Sequence, residues 1–182
     1  MVKKILVALD GSPLSGRALD LAIHLAANAA AKLLVLTVAS DDPLTEEEVD
    51  LALNRYQPEV SELLVAPEFA TALEQGRDTM ERAGPAASGR SASIRKAMGQ
   101  HILAQAETTA RGRGFSSVET LLSSGDPATT ILAVAATESP DLLVIGSRGL
   151  GIRAGSLMGS VSDTVVRQSG CSVIIVRSPD ED

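Results

Sequence analysis

Ile5-Leu6-Val7-Ala8-Leu9, running straight into Asp10-Gly11-Ser12-Pro13, is the stretch that decides the fold. Five apolar residues in a row, without alternation, are how a strand reads when both faces are covered, as in a parallel sheet. The run breaks at Asp10-Gly11; Ser12 has the side chain of a helix N-cap, and Pro13 suits the first helical position. Leu14, Ala18, Leu21, Ala22, Leu25 and Ala26 then recur at helical spacing, and Leu33 to Val38 is a second apolar run of strand length. This is a strand-helix-strand unit, and its crossover is expected to be right-handed.

Further out, the same rhythm returns. Val118 to Leu122 reads as a strand and Gly125-Asp126-Pro127 as turn, cap and first helical position. A helix over Thr129 to Thr137 follows, stopped by Pro140. Leu142 to Ile145 is another buried strand. A glycine-rich loop runs from Gly146 to Gly159, Ser160 to Gln168 reads as helix, and Val173 to Val176 closes as the last strand. Five strands alternating with helices predict an α/β fold with a three-layer, doubly wound parallel sheet.

The middle of the chain breaks the rhythm. From Asp41 to Ala87 twelve acidic residues stand against Arg55, Arg77 and Arg82, a net of nine negative charges where the whole chain carries −7. Acidity is thus confined to one segment. Thr45 followed by Glu46, Glu47 and Glu48 is a helix start, with Val49, Leu53 and Tyr56 as its apolar stripe. Gly84-Pro85-Ala86-Ala87-Ser88-Gly89 reads as a flexible joint before a helix, started near Ser91, that carries Ile94, Met98, Ile102 and Ala106. We read residues 1–182 as a single domain with an acidic, partly helical insertion at about 41–90, and charge runs of this kind usually face water.

Composition narrows the function. With 2% aromatic residues and net charge −7, the chain lacks both the stacking platforms and the positive surface of a nucleic-acid binder. One cysteine, Cys171, excludes an internal disulfide framework and suits a reducing, cytoplasmic setting. No apolar run has the length of a membrane span, and Met1-Val2-Lys3-Lys4 does not open a signal-peptide pattern. His24 and His101 stand without an identifiable nucleophile or carboxylate partner, and Cys171 reads as a packing residue.

The loop Gly146-Ser147-Arg148-Gly149-Leu150-Gly151-Ile152-Arg153-Ala154-Gly155-Ser156-Leu157-Met158-Gly159 leaves a buried strand and enters a helix at Ser160-Val161-Ser162. Glycines let backbone approach a ligand, and the helix start offers unpaired N–H groups and the positive end of the dipole. Those are the parts of a phosphate cradle, to which the Ser147, Ser160 and Ser162 hydroxyls and Arg148 or Arg153 would add donors. The competing reading is a mobile loop followed by a capping box, Ser160 to Asp163. Asp10 also follows a buried strand. If the first and fourth strands are neighbours, it faces this loop across one crevice, where it would meet a ribose hydroxyl or a hydrated metal instead of serving as a turn residue. No G-x-x-x-x-G-K-[ST] or G-x-G-x-x-G pattern occurs, which disfavours Walker-type NTPases and ordinary dinucleotide enzymes.

Gly146, Gly149, Gly159 and Ser160 match G-x2-G-x9-G-[ST], and with Ile5 to Ser12 they make the chain resemble the ATP-binding members of the universal stress protein family over about 1–40 and 91–178. The resemblance implies sheet order 3-2-1-4-5, as in adenine nucleotide alpha hydrolase-like folds, with ATP in the crevice and Mg²⁺ or Mn²⁺ held by its phosphates. Carried over, Ala8 and Val38 line the adenine, Leu9 belongs to the same nucleotide site, Ile145 and Gly146 meet the base edge, and Asp10 lies near ribose and phosphates. Arg148, Gly149, Gly159, Ser160, Val161 and Ser162 surround the ribose and phosphates. The implied function is a nucleotide-dependent stress-response binding module with an unidentified protein partner. A slow ATPase or autophosphorylating protein, an AMP or other adenylate sensor, and a nucleotide-free interaction scaffold are the alternatives. Val173 to Val176 is apolar yet falls at a sheet edge in this order, so it is expected to pair with a second copy through 172–177 or to lie beneath the insertion.

Overall fold

The computed structural model describes residues 1–40, 84–149 and 158–177, together with positions 42, 44, 52 and 54. Strand β1 (Lys4–Leu9) leads through Gly11, at φ 84°, into helix α1 (Pro13–Ala29). Ser12 caps α1 by accepting from Ser15 N at 3.2 Å, with Pro13 at the first helical position, as the sequence predicts. Then come β2 (Lys32–Ala39), α2 (Gly84–Gly112), β3 (Val118–Ser124), α3 (Pro127–Glu138), β4 (Leu142–Gly146), α4 (Ser160–Gln168) and β5 (Ser172–Val176).

All four strand pairings are parallel and the order is β3-β2-β1-β4-β5. Leu6 sits between Leu34 and Leu143, and Ala8 between Leu36 and Ile145. Because side chains alternate along a strand, each strand feeds two cores. Ile5, Val7, Leu33 and Val35 pack with Ala18, Ala22 and Ile23 of α1 and with Ile94, Met98 and Ile102 of α2. Leu6, Leu34, Leu36 and Leu143 pack with Ile131 and Ala135 of α3 and with Val165 of α4. Both faces of the sheet are thereby covered, which is why its central strands carry no polar alternation.

Differences from the sequence reading lie at element ends and in the middle segment. Strands extend by polar residues such as Lys4, Lys32, Ser123 and Ser124, because ladder hydrogen bonds use backbone and are indifferent to the side chain. Helix α2 begins at Gly84, not near Ser91, so the expected flexible joint is helical backbone. Pro85 is tolerated in a first helical turn, and Ala86 and Ala87 are strong helix formers. The predicted helix start at Thr45 to Glu48 and the stripe of Val49, Leu53 and Tyr56 lie outside the described residues. Within that acidic stretch Leu44 and Ala52 are buried in the same core as Ile94 and Met98, so the segment is anchored on the domain at these two positions.

Asp126 caps α3, accepting from Thr129 N at 2.8 Å and Thr129 Oγ1 at 2.6 Å. These hydrogen bonds hold its carboxyl below the usual carboxylate range. A carboxyl depressed on folding contributes stability above its unfolded pKa and loses it as the pH falls through the folded value. Asp126→Ala should therefore cost about 1 kcal/mol at neutral pH. That difference should shrink as the pH is taken below about 4, in urea unfolding of both proteins across pH.

Candidate functional site

Strand β1 separates β2 from β4, and the chain winds outward from it in both directions, so the carboxyl ends of β1 and β4 form the switch point where open α/β sheets place ligands. A cleft of about 470 Å³ opens there. Ala8, Leu9 and Asp10 come to its wall from β1, Val38 from β2, and Ile145, Gly146, Arg148 and Gly149 from β4 and the loop. Gly159, Ser160, Val161 and Ser162 come from the start of α4. The twelve residues that the family resemblance assigns to the nucleotide all line this one cleft.

The turn after β1 and the loop after β4 meet closely. Asp10 Oδ1 accepts from Ser12 N at 2.9 Å, which fixes the carboxylate, and a Cβ built on Gly149 would collide with Asp10 Oδ2. Gly146 is confined less severely: a Cβ there would lie 3.1 Å from Leu14 Cβ and 3.2 Å from the Arg148 carbonyl oxygen, a tight contact and not a collision. Neither glycine, nor Gly159 at φ −79°, uses the left-handed region. Space is what glycine supplies at 146 and 149.

Helix α4 has Gly159 as its N-cap, with no side-chain cap, and its first intrahelical bond runs from Asp163 N to Gly159 O at 2.9 Å. The capping box expected as the competing reading is therefore not formed. Ser160 is the first helical residue, and Asp163 accepts from Arg167 Nε at 2.9 Å, which holds its carboxyl below the usual range. The N–H groups of Ser160, Val161 and Ser162 precede the first turn's bonding and have no partner within the helix.

Two serines whose hydroxyls are expected on the phosphates do not present them to the cleft. Ser147 is fully buried and lies off the cleft wall; its N donates to Val176 O and its O accepts from Gly159 N, both at 2.8 Å. Ser162 Oγ is bonded to Ser147 O at 2.7 Å and Gly159 O at 3.0 Å. Both residues tie the loop's two ends to the sheet, and Ser162 faces the cleft with its hydroxyl committed inward. Ser160 is exposed on the cleft wall, and Arg153 lies outside the described residues.

The sequence reading missed a second part of the cleft, formed where α2 crosses the end of β2. Thr37, Ser40, Asp42, Arg95, Met98, Gly99 and Ile102 line it. Arg95 Nη1 donates to the carbonyl oxygens of Ser40 (3.1 Å) and Asp42, joining α2 to the start of the acidic stretch. The available signal was Gly99, a glycine beside Met98 on a helix's apolar face, which marks a close approach. His24 and His101 are near Asn28 and Gln105, and Cys171 near Ser169, all away from the cleft wall.

A family model described as the universal stress protein family matches residues 1–177. The universal stress protein YxiE of Bacillus subtilis (strain 168) is 31% identical over 177 residues, 97% of this chain and 100% of the relative. A universal stress protein solved in complex with cAMP is 28% identical, with TM-score 0.57 over 96% of this chain and 97% of that one. UspA from Lactobacillus plantarum, 22% identical with TM-score 0.60 over 97% and 98% of the two chains, shares the fold. With a match that spans every strand of the sheet and neighbours that share its architecture, the chain belongs to the universal stress protein family.

Proposed function

We propose that this protein is a nucleotide-dependent stress-response module that binds ATP in the cleft across β1 and β4. The observation that carries the reading is the convergence of Asp10, Gly149 and the uncapped start of α4 on one cleft of nucleotide dimensions. The start of α4, with its three N–H groups unpartnered within the helix and the positive end of its dipole, lies on the cleft wall together with Arg148, and would receive the phosphates. Ala8, Val38 and Ile145, with Ile131 from α3, offer an apolar slot for adenine, and Asp10 is placed for a ribose hydroxyl. Among the described residues no three His, Cys, Asp or Glu side chains converge as a metal site, so Mg²⁺ or Mn²⁺ would be carried by phosphate oxygens.

The protein is a binding module before it is an enzyme. The cleft's carboxylates among the described residues are Asp10 and Asp42, and the glycine loop contains no lysine, so the usual positioning groups of phosphoryl transfer are missing. Strand β5 pairs with β4 on one side, and Val173 to Val176 remain half-buried; a second copy pairing along 172–177 would cover that edge. Among the described residues no helix is long and apolar enough to cross a membrane. The cytoplasmic assignment rests on the single cysteine, which suits a reducing compartment. We read the acidic stretch as an insertion whose net negative charge suits a protein partner.

A second reading, a sensor of adenine monophosphates, is favoured by the relative solved with cAMP. Displacement of a fluorescent adenine nucleotide from nucleotide-stripped protein separates the two. ATP with Mg²⁺ should compete best; competition by AMP or cAMP but not ATP would transfer the assignment to the second reading. Sedimentation of the same sample should give a dimer.

A further inference from the structure

Gly159, the N-cap of α4, has no side chain with which to hold the helix start. Ser162 holds it from inside the first turn. Its residue is 2% exposed, and its Oγ shares one proton between Ser147 O at 2.7 Å and Gly159 O at 3.0 Å. Two backbone bonds converge on the same carbonyls, Gly159 N to Ser147 O at 2.8 Å and Asp163 N to Gly159 O at 2.9 Å. One hydroxyl thus ties the residue after β4 to the residue before α4, the two ends of the glycine loop.

The direction of these bonds matters for a ligand. An ordinary cap, Ser, Thr, Asp or Asn, steadies a helix start by accepting from the N–H of its second or third residue, and so occupies donors that a bound anion needs. Ser162 donates to carbonyls instead, and leaves those donors without an intrahelical partner. It also sets how the first of them points. A peptide is planar and trans, so its N–H lies opposite its C=O. The Gly159 carbonyl is drawn towards Ser162 Oγ and Asp163 N, further along α4, which turns the N–H of Ser160 the other way, out of the helix end that lies on the cleft wall. Gly159, at φ −79° and ψ 160°, has no side chain of its own to keep that peptide from rotating.

Resting on the nucleotide reading of the cleft, we infer that Ser162 is a positioning residue for the phosphates: acting through the Gly159–Ser160 peptide, its hydroxyl holds the first N–H of α4 towards them without touching them. Its proton is committed to two carbonyls, so it has none to give a phosphate oxygen. Its removal orphans nothing, because Ser147 O and Gly159 O each keep a backbone donor. Loss of the hydroxyl therefore loosens the peptide with modest consequence for folding. The effect on binding follows the phosphates, since base and ribose make no use of that N–H.

The experiment is calorimetric titration of the full chain, stripped of nucleotide, with ATP and Mg²⁺, and with adenosine in competition against ATP, for the parent, Ser162→Ala and Ser162→Thr. Urea unfolding of the ligand-free proteins accompanies it. Ser162→Ala should fold and bind ATP about three- to tenfold more weakly, with adenosine affinity within about twofold of the parent's. Ser162→Thr, whose hydroxyl can reach the same i−3 carbonyl in a helix, should bind ATP within about twofold of the parent. A merely structural role would weaken both ligands alike. Equal losses for ATP and adenosine, parent-like ATP affinity in Ser162→Ala, a Ser162→Thr as weak as Ser162→Ala, or a Ser162→Ala that does not fold would each overturn the assignment while leaving the nucleotide site in place. A parent that binds adenosine as tightly as ATP would overturn it too, by showing that the start of α4 receives no phosphate. A parent that binds neither would remove the nucleotide site and the assignment together.

Discussion

Gly149→Val is expected to abolish detectable ATP binding while leaving the domain folded. The φ angle of Gly149 is one that valine can adopt, so the effect comes from volume alone. Its new Cβ would overlap Asp10 Oδ2, and Asp10 cannot yield easily because Ser12 N holds its other oxygen at 2.9 Å. The backbone at exposed Gly149 moves instead, at little expense to the fold. A ligand must then drive the loop back into the collision, so the overpacking penalty of about 1–3 kcal/mol falls on binding. That alone weakens affinity by roughly five- to 150-fold, before the valine methyls obstruct the cleft. Calorimetric titration beside a urea unfolding curve checks both halves; parent-like affinity would show that the turn and loop do not form the binding surface.

Leu6→Ala should have the opposite signature. Leu6 is fully buried in the central strand, between Leu34 and Leu143, and it is not on the cleft wall. Truncation removes transfer energy and leaves a cavity that a sheet covered on both faces collapses poorly, for a loss of about 2–5 kcal/mol. Against a typical domain stability of about 5–15 kcal/mol this is a large fraction. The urea midpoint should fall with little change in slope, while nucleotide affinity measured well below the transition stays at the parent's value. A loss under about 1 kcal/mol would contradict the packing described for β1.

These two variants separate what was legible in the sequence from what was not. The core strands were legible because burial on both faces leaves unbroken apolar runs, as at Ile5 to Leu9 and Leu142 to Ile145. Ser12 and Asp126 were legible as caps because each precedes a proline that suits a helix's first position. The neighbour of β1 across the crevice was not readable from the residues, since periodicity carries no strand order; it came from the likeness to a family. Nor does sequence show where a hydroxyl points: Ser162 turns inward because Ser147 O and Gly159 O are brought to it by the loop's return to the sheet. Thr37 and Arg95 were missed because their place on the cleft depends on how closely α2 approaches β2, which Gly99 permits but no motif announces. The acidic stretch reads as solvated from its charge, yet Leu44 and Ala52 reach the core, a reminder that single apolar anchors are invisible in net charge.

The most direct test is calorimetric titration of the nucleotide-stripped protein with ATP and Mg²⁺. The cleft described predicts saturable binding at one nucleotide per chain, lost in Gly149→Val and retained in Leu6→Ala at a temperature where it is folded. Absence of saturable heat from the folded parent, with Mg²⁺ present and no nucleotide carried over from purification, would contradict the assignment of this cleft to ATP.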